Sequence, residues 1–462
     1  MQTRRHFLAT VAKGTAGALA TSALPLNTFA QERPPNILFI SVDDLNDWIG
    51  CLGGHPDTLT PNIDRLANQS TLFTRAYCNA PSCNPSRASL MTGLRPSTTG
   101  VYTNRNPFRW ARPNAITMGQ QFQKHGYHVL GRGKIFHGRY PDPPTWNEYI
   151  GKGGDPSPPN RPANGIPKTG HFDWSPLDIP DEDMDDTKVA HWTAQQLQKD
   201  HSKPFFLACG LFRPHLPWYA PQKYFDKFSP NQITLPNINE HDLDDIPEAG
   251  RKMARQRDHN NVMKTDNWRK AVAAYLACIN FTDTNVGHVL NALHNGPNAQ
   301  NTIIVFWGDH GWHLGEKLHW RKFALWEEAT RVPFMISTPG QTGATCNRTV
   351  SLIDLYPTLS DLCNIPIRPE LEGNNLRPLL NNPNTQWNHP AITTYGHQNH
   401  SIRSERYRYI RYRDGSEELY DHNNDALEWT NLASNKKFAD IIAEHQQWLP
   451  KINTPESKRD TN

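Results

Sequence analysis

Three apolar runs limit what this chain can become. They are Asn36-Ile37-Leu38-Phe39-Ile40-Ser41-Val42, Pro204-Phe205-Phe206-Leu207-Ala208-Cys209-Gly210 and Asn301-Thr302-Ile303-Ile304-Val305-Phe306-Trp307. A strand with one wet face alternates apolar and polar residues. A run apolar at successive positions is buried on both faces, as in a parallel sheet covered by helices. Between the runs the periodicity becomes helical, at 61–68, 116–125, 186–199, 268–294 and 352–363, with further strands at 71–77, 127–131 and 333–337. This alternation predicts an α/β fold built on a large mixed, mostly parallel sheet sandwiched by helices.

At 462 residues the chain is too long for one small core, and its 38 prolines and 29 glycines imply many loops. Two polar stretches, about 138–184 and 219–265, read as irregular insertions that shape or cover a pocket. A Pro/Asn-rich linker over 366–389 leads to residues 401–412, which alternate as a half-exposed strand does. Asp414-Gly415 then marks a hairpin and 437–449 a closing helix. The expected division is 1–30, 31–375 as the catalytic domain, and 376–462 as a small antiparallel α+β subdomain.

The first thirty residues carry Arg4, Arg5 and Lys13 and no acid, so the net charge of +3 resides there and the rest is balanced. That excludes bulk affinity for nucleic acid or an anionic membrane. Thr3-Arg4-Arg5-His6-Phe7-Leu8 opens a twin-arginine signal, and Thr28-Phe29-Ala30 offers a cleavage site. The apolar run between them is too short and polar for a membrane anchor. The expectation is export through the twin-arginine (Tat) machinery to the periplasm or beyond. Seven cysteines leave any pairing open.

The ends of the apolar strands hold the candidate chemistry. Asp43-Asp44 follows the first run, Arg213-Pro214-His215 the second and Asp309-His310 the third, while strand 127–131 leads to Lys134 and His137. In an open parallel sheet, ligands bind at the carboxyl ends of strands. Cys83-Asn84-Pro85-Ser86-Arg87 reads as a loop turning into a helix, with Cys83 just ahead of the helix N-terminus, where an anion is favoured. Alone, such a cysteine is an ordinary core residue. Asp43, Asp44 and Asp309 in one cleft are costly without a cation, and oxygen donors favour Ca²⁺ or Mg²⁺ over zinc.

Cys83-x-Pro85-Ser86-Arg87, continued by Ser89-x-x-Thr92-Gly93, resembles the signature of the formylglycine-dependent (type I) sulfatases, within the alkaline-phosphatase-like superfamily. The resemblance implies that Cys83 is oxidised to formylglycine (3-oxoalanine) by a formylglycine-generating enzyme before folding. It implies a Ca²⁺ ion, with Mg²⁺ second, held by Asp43, Asp44, Asp309, His310 and the modified Cys83. His310 stands where the family usually has Asn, a departure shared with the iduronate-2-sulfatase-like branch. Gly133-Lys134-Ile135-Phe136-His137, Arg213-Pro214-His215-Leu216-Pro217 and Trp320-Arg321-Lys322 resemble that branch's further motifs.

By this resemblance the hydrated formylglycine attacks sulfur. Arg87, Lys134, Lys322 and the metal stabilise the sulfuryl oxygens, His215 protonates the departing sugar oxygen, and His137 takes the proton that allows sulfate release. The implied substrate is a sulfated sugar, 2-O-sulfated uronic acid or a related polysaccharide residue, with His397, Asn399, His400 and Arg403 reading the sugar. Two alternatives stand beside it: a phosphodiesterase or phosphonate monoester hydrolase of the same superfamily, and a catalytically silent carbohydrate-binding protein.

Overall fold

Every residue of strand β1 (Asn36–Val42) is buried, because both of its faces are covered. Leu38, Ile40 and Val42 enter one apolar cluster, and Ile37 and Phe39 enter another on the opposite side. This computed structural model describes residues 33–167 and 169–461. The expected signal over 1–30 lies outside the described residues. Among the described residues, no helix is long and apolar enough to cross a membrane.

The main sheet adds β2 (Thr71–Tyr77), β3 (His128–Gly133), β4 (Glu148–Gly151), β5 (Phe205–Leu211), β6 (Thr302–Gly308), β7 (Phe334–Ser337) and β8 (Ala344–Ser351). Its order is β8-β2-β7-β6-β1-β5-β3-β4. Strands β6, β1, β5, β3 and β4 are parallel neighbours, and β7 alone runs against both of its neighbours. The mixed, mostly parallel sheet expected from the apolar runs is therefore present.

Helices α1 (Pro61–Ala67), α2 (Cys83–Thr92), α3 (Met118–Lys124), α4 (Asp185–Leu197), α5 (Trp268–His294) and α6 (Leu355–Leu362) cover it. The first cluster takes Ile63 of α1, Val189 of α4 and Val286 of α5. The second takes Leu90 of α2, Phe122 of α3 and Leu359 of α6.

A four-stranded antiparallel sheet follows, β9 (Ala391–Thr394), β10 (His400–Arg403), β11 (Tyr407–Arg411) and β12 (Glu417–Asp421), with α7 (Ala439–Gln446) beyond it. Buried Arg408 ties this sheet to the main body: it pairs with Glu327 and Glu428 and donates to the Leu325 carbonyl at 3.0 Å.

Three stretches read as irregular carry structure. Segment 138–184 supplies edge strand β4, and Trp174–Leu177 pairs in parallel with Trp218–Pro221. Segment 219–265 holds helices Glu248–Ala254 and Arg257–Lys264, and the linker holds Arg377–Asn381. Elements of four to eight residues among prolines and glycines are too short to display a periodicity. All seven cysteines are free thiols.

Candidate active site

Helix α2 is buried along its whole length and presents Cys83 as its first residue. The Cys83 sulfur lies 2.9 Å from Lys322 Nζ, 3.3 Å from His310 Nε2, 3.6 Å from Lys134 Nζ and 3.9 Å from Asp44 Oδ1. Burial pushes this thiol up to about 12. The sulfur marks where the oxygens of an oxidised residue 83 would project.

Asp43 and Asp44 follow β1, and both are buried. Asp44 takes a left-handed backbone, φ 59°, which short polar side chains tolerate better than branched ones. Its N–H donates to Asp309 Oδ1 at 3.1 Å, locking the end of β1 to the end of β6. Asp43 pairs with Lys134 and, at 3.3 Å, with Arg87. Burial opposes its charge, but Lys134, His215 and Arg87 outweigh burial and hold it well below the usual carboxylate range. Asp44 Oδ1 accepts from Lys322 at 2.6 Å. Its carboxyl is pushed up to about 7 by burial, with Asp43 and Asp309 adding to the shift.

The sequence counts three carboxylates in one cleft. The structure answers them with three fixed cations, Arg87, Lys134 and Lys322, so charge balance alone does not demand a metal. The donor set argues for one instead. Ligand atoms of Asp43, Asp44, Cys83 and His310 lie within 4.8 Å of one another, and Asp44 Oδ2 is buried without a hydrogen bond. The set is two carboxylates, an imidazole and residue 83, with a free lone pair on Asp44; an oxidised residue 83 would make three of its four donors oxygen, which fits a hard divalent cation. Asp309 stands beside this set: Oδ1 accepts from Asp44 and Oδ2 from Arg87 at 2.8 Å.

Arg87 is tied into the protein on every side of its guanidinium that makes a contact. Nε bonds Asp309, Nη2 bonds Asp43, and Nη1 donates to the carbonyls of Lys134 at 2.5 Å and Ile135 at 2.9 Å. With four of its five donors engaged by protein and its side chain fully buried, it positions the strand ends.

Lys134 and His137 leave β3, and His215 follows β5. His215 Nδ1 meets the Leu216 carbonyl at 2.5 Å, so the proton on that side is held there. Nε2 faces Asp44 Oδ2 at 3.8 Å and Asp43 Oδ2 at 4.0 Å. His137 Nδ1 is buried without a hydrogen bond, and burial beside Lys134 pushes the imidazole down to about 3. Lys322 arrives on a loop whose residues Lys317, Leu318, Arg321 and Phe323 all have positive φ. Such backbone costs about 1–3 kcal/mol per residue and clusters at functional sites. Nothing in the residue types of 317–323 announces it.

The expected sugar readers are engaged elsewhere. Arg403 is buried against Glu327 at 3.2 Å and donates to the Ser404 carbonyl. His400 bonds Thr394 and Asn453, Asn399 spans the turn at Tyr395 and Arg413, and His397 meets the Asn453 carbonyl at 3.3 Å. These contacts hold the C-terminal hairpin in place. The sequence shows polar residues before a turn and cannot show which partners the fold gives them.

The sulfatase family profile matches residues 35–365, and a profile for the N-sulphoglucosamine sulphohydrolase C-terminal region matches 308–454. The chain belongs to the sulfatase family. It is 40% identical over 441 residues to a sulfatase from Formosa agariphila, covering 91% of this chain and 87% of that one. It is 32% identical to mouse iduronate 2-sulfatase over 396 residues, covering 72% and 69%. The fold is shared with a phosphonate monoester hydrolase from Agrobacterium radiobacter at a TM-score of 0.73 and 22% identity, over 89% of this chain and 94% of the other. As a sulfatase of the iduronate-2-sulfatase-like branch, the protein is a sulfuric ester hydrolase.

Proposed function

We propose that this sulfatase removes an O-sulfate from a sulfated sugar, with 2-O-sulfated uronic acid or a related polysaccharide residue as substrate. The convergence of Lys322, Lys134 and His310 on the side chain of residue 83 carries this reading. When present, formylglycine at position 83 supplies a hydrated aldehyde as nucleophile, and a divalent cation, Ca²⁺ before Mg²⁺, polarises oxygen as a Lewis acid. Asp43, Asp44, His310 and residue 83 would hold the ion, with Asp309 beside them.

The chain's own groups do the rest. Lys134 and Lys322 stand where charge builds on the sulfuryl oxygens, in a buried setting where each ammonium acts strongly. Arg87 fixes Asp43 and Asp309. His215 gives the leaving oxygen a proton from Nε2 of its imidazolium form, because the Nδ1 proton is committed to the Leu216 carbonyl. His137, which lines the same cavity, takes the proton that allows sulfate release. Cys83 is 1% exposed, so a formylglycine-generating enzyme has to reach it before the chain closes. The twin-arginine signal would then export the folded product to the periplasm or beyond.

The test is sulfate release from defined sulfated oligosaccharides, run beside phosphate diesters and phosphonate monoesters, with mass spectrometry of the peptide around residue 83. Release of sulfate by protein carrying the aldehyde supports the reading. Turnover of phosphorus esters alone points to the phosphonate hydrolase alternative. An unmodified thiol with no turnover leaves a binding protein.

A further inference from the structure

Strand β4 extends the row of carboxyl ends by one. It lies parallel beside β3, with Gly133 opposite Gly151. The next residues, Lys134 and Lys152, therefore leave neighbouring strands at one edge, about 5 Å apart along the sheet. Lys134 belongs to the site around Cys83. Lys152 belongs to nothing described so far.

A cavity of about 830 Å³ opens at this edge, lined by Lys134, His137 and His215 together with Trp146, Tyr149 and Lys152. That volume suits a saccharide rather than a lone sulfate. Among the described residues, no aspartate or glutamate lines it. Phe212, at the end of β5, joins the two lysines: its ring centre is 5.2 Å from Lys134 Nζ and 4.2 Å from Lys152 Nζ. Trp146 and Tyr149 stack with centroids 4.7 Å apart and form an aromatic wall. Lys152 Nζ donates to the Gly153 carbonyl at 2.8 Å and lies 3.5 Å from Asp155, whose nearer partner is Arg213 at 3.0 Å. An ammonium has three donors, so one is left for a ligand.

We propose that Lys152 anchors a second anionic group of the substrate, a carboxylate or another sulfate, on the scissile sugar or its neighbour. This rests on the sulfated-sugar reading above and deepens it. The enzyme then prefers polyanionic saccharides to isolated sulfate esters, and Lys152 is a specificity residue acting in binding.

The test compares wild type, Lys152→Ala and Lys152→Arg on 4-nitrophenyl sulfate, a 2-O-sulfated hexuronate disaccharide, its methyl ester, and a disulfated hexosamine. Lys152→Ala is expected to raise KM for the doubly anionic substrates about tenfold or more, with kcat little altered. The preference over 4-nitrophenyl sulfate should shrink by the same factor, and Lys152→Arg should restore part of it. The methyl ester identifies a carboxylate as the second anion, and the hexosamine a sulfate. Calorimetric binding of the desulfated hexuronate disaccharide gives a readout independent of turnover, and Lys152→Ala should weaken it tenfold. Equal KM changes on all substrates, or an unchanged KM on the disulfated hexosamine together with unchanged product binding, would overturn the assignment. If wild type released no sulfate at all, the sulfated-sugar reading would fall, while calorimetry would still decide the role of Lys152.

Discussion

The ammonium of Lys322 stands 2.9 Å from the Cys83 sulfur and 2.6 Å from Asp44 Oδ1. One side chain thus bridges the start of α2 and the end of β1. Removing a buried charge-stabilising group of this kind costs about 10²–10³ in kcat. Lys322→Ala and Lys134→Ala should each show that loss on 4-nitrophenyl sulfate, with near-UV circular dichroism like wild type. A loss of only a few-fold would mean that neither ammonium faces the reacting sulfuryl group.

Arg87 predicts a different signature. It spans Asp309 at 2.8 Å and Asp43 at 3.3 Å with no solvent access. Truncating one partner of such a buried set strands charge in a medium of low dielectric, at a cost of about 3–5 kcal/mol. Arg87→Ala should therefore lower the urea midpoint markedly as well as abolishing activity. An inactive Arg87→Ala of native stability would show instead that the guanidinium serves only the reaction.

The C-terminal sheet gives a pH dependence. Burial alone would raise the Glu428 carboxyl, yet Arg408 and His422 hold it down to about 2 against an ordinary 4.5. As pH falls, the unfolded chain takes up this proton before the folded chain does. The stabilisation is complete above pH 4.5 and drains away toward pH 2. Thermal midpoints should fall across that window, and Glu428→Gln, less stable at neutral pH, should show a shallower fall. Parallel curves for the two proteins would remove Glu428 from the account.

The sheet was legible because β1, β5 and β6 are apolar on both faces, a pattern that no exposed strand shows. Their carboxyl ends named Asp43, Asp44, Asp309 and His310, since parallel order puts such ends on one edge. The work of Arg87 and Arg403 was not legible. Whether a guanidinium faces a ligand or a carboxylate depends on contacts such as Arg403 with Glu327, 76 positions apart in the chain. Strand β4 was hidden by its brevity, and with it Lys152. The positive φ values of Leu318 and Phe323 were hidden because neither residue type favours them.

Gly210 tests how closely the strand ends must fit. A Cβ added there would lie 2.5 Å from the backbone N, C and O of Lys134, and the Gly210 carbonyl accepts the Lys134 N–H at 2.9 Å. Gly133, beside it, has φ 87° and its own added Cβ would strike the Gly210 carbonyl. Two glycines thus let β3 and β5 close up and deliver Lys134 to Asp43. Backbone cannot swing aside as a flexible side chain can, so Gly210→Ala must displace Lys134. A misplacement of about 1 Å costs about 10² in rate. Gly210→Ala should show that fall in kcat at a temperature where it remains folded by circular dichroism. Gly154→Ala, whose added carbon meets nothing within 4 Å, is the control for a glycine replaced without contact. Wild-type kcat in folded Gly210→Ala would mean that the lysine reaches its place without this close approach.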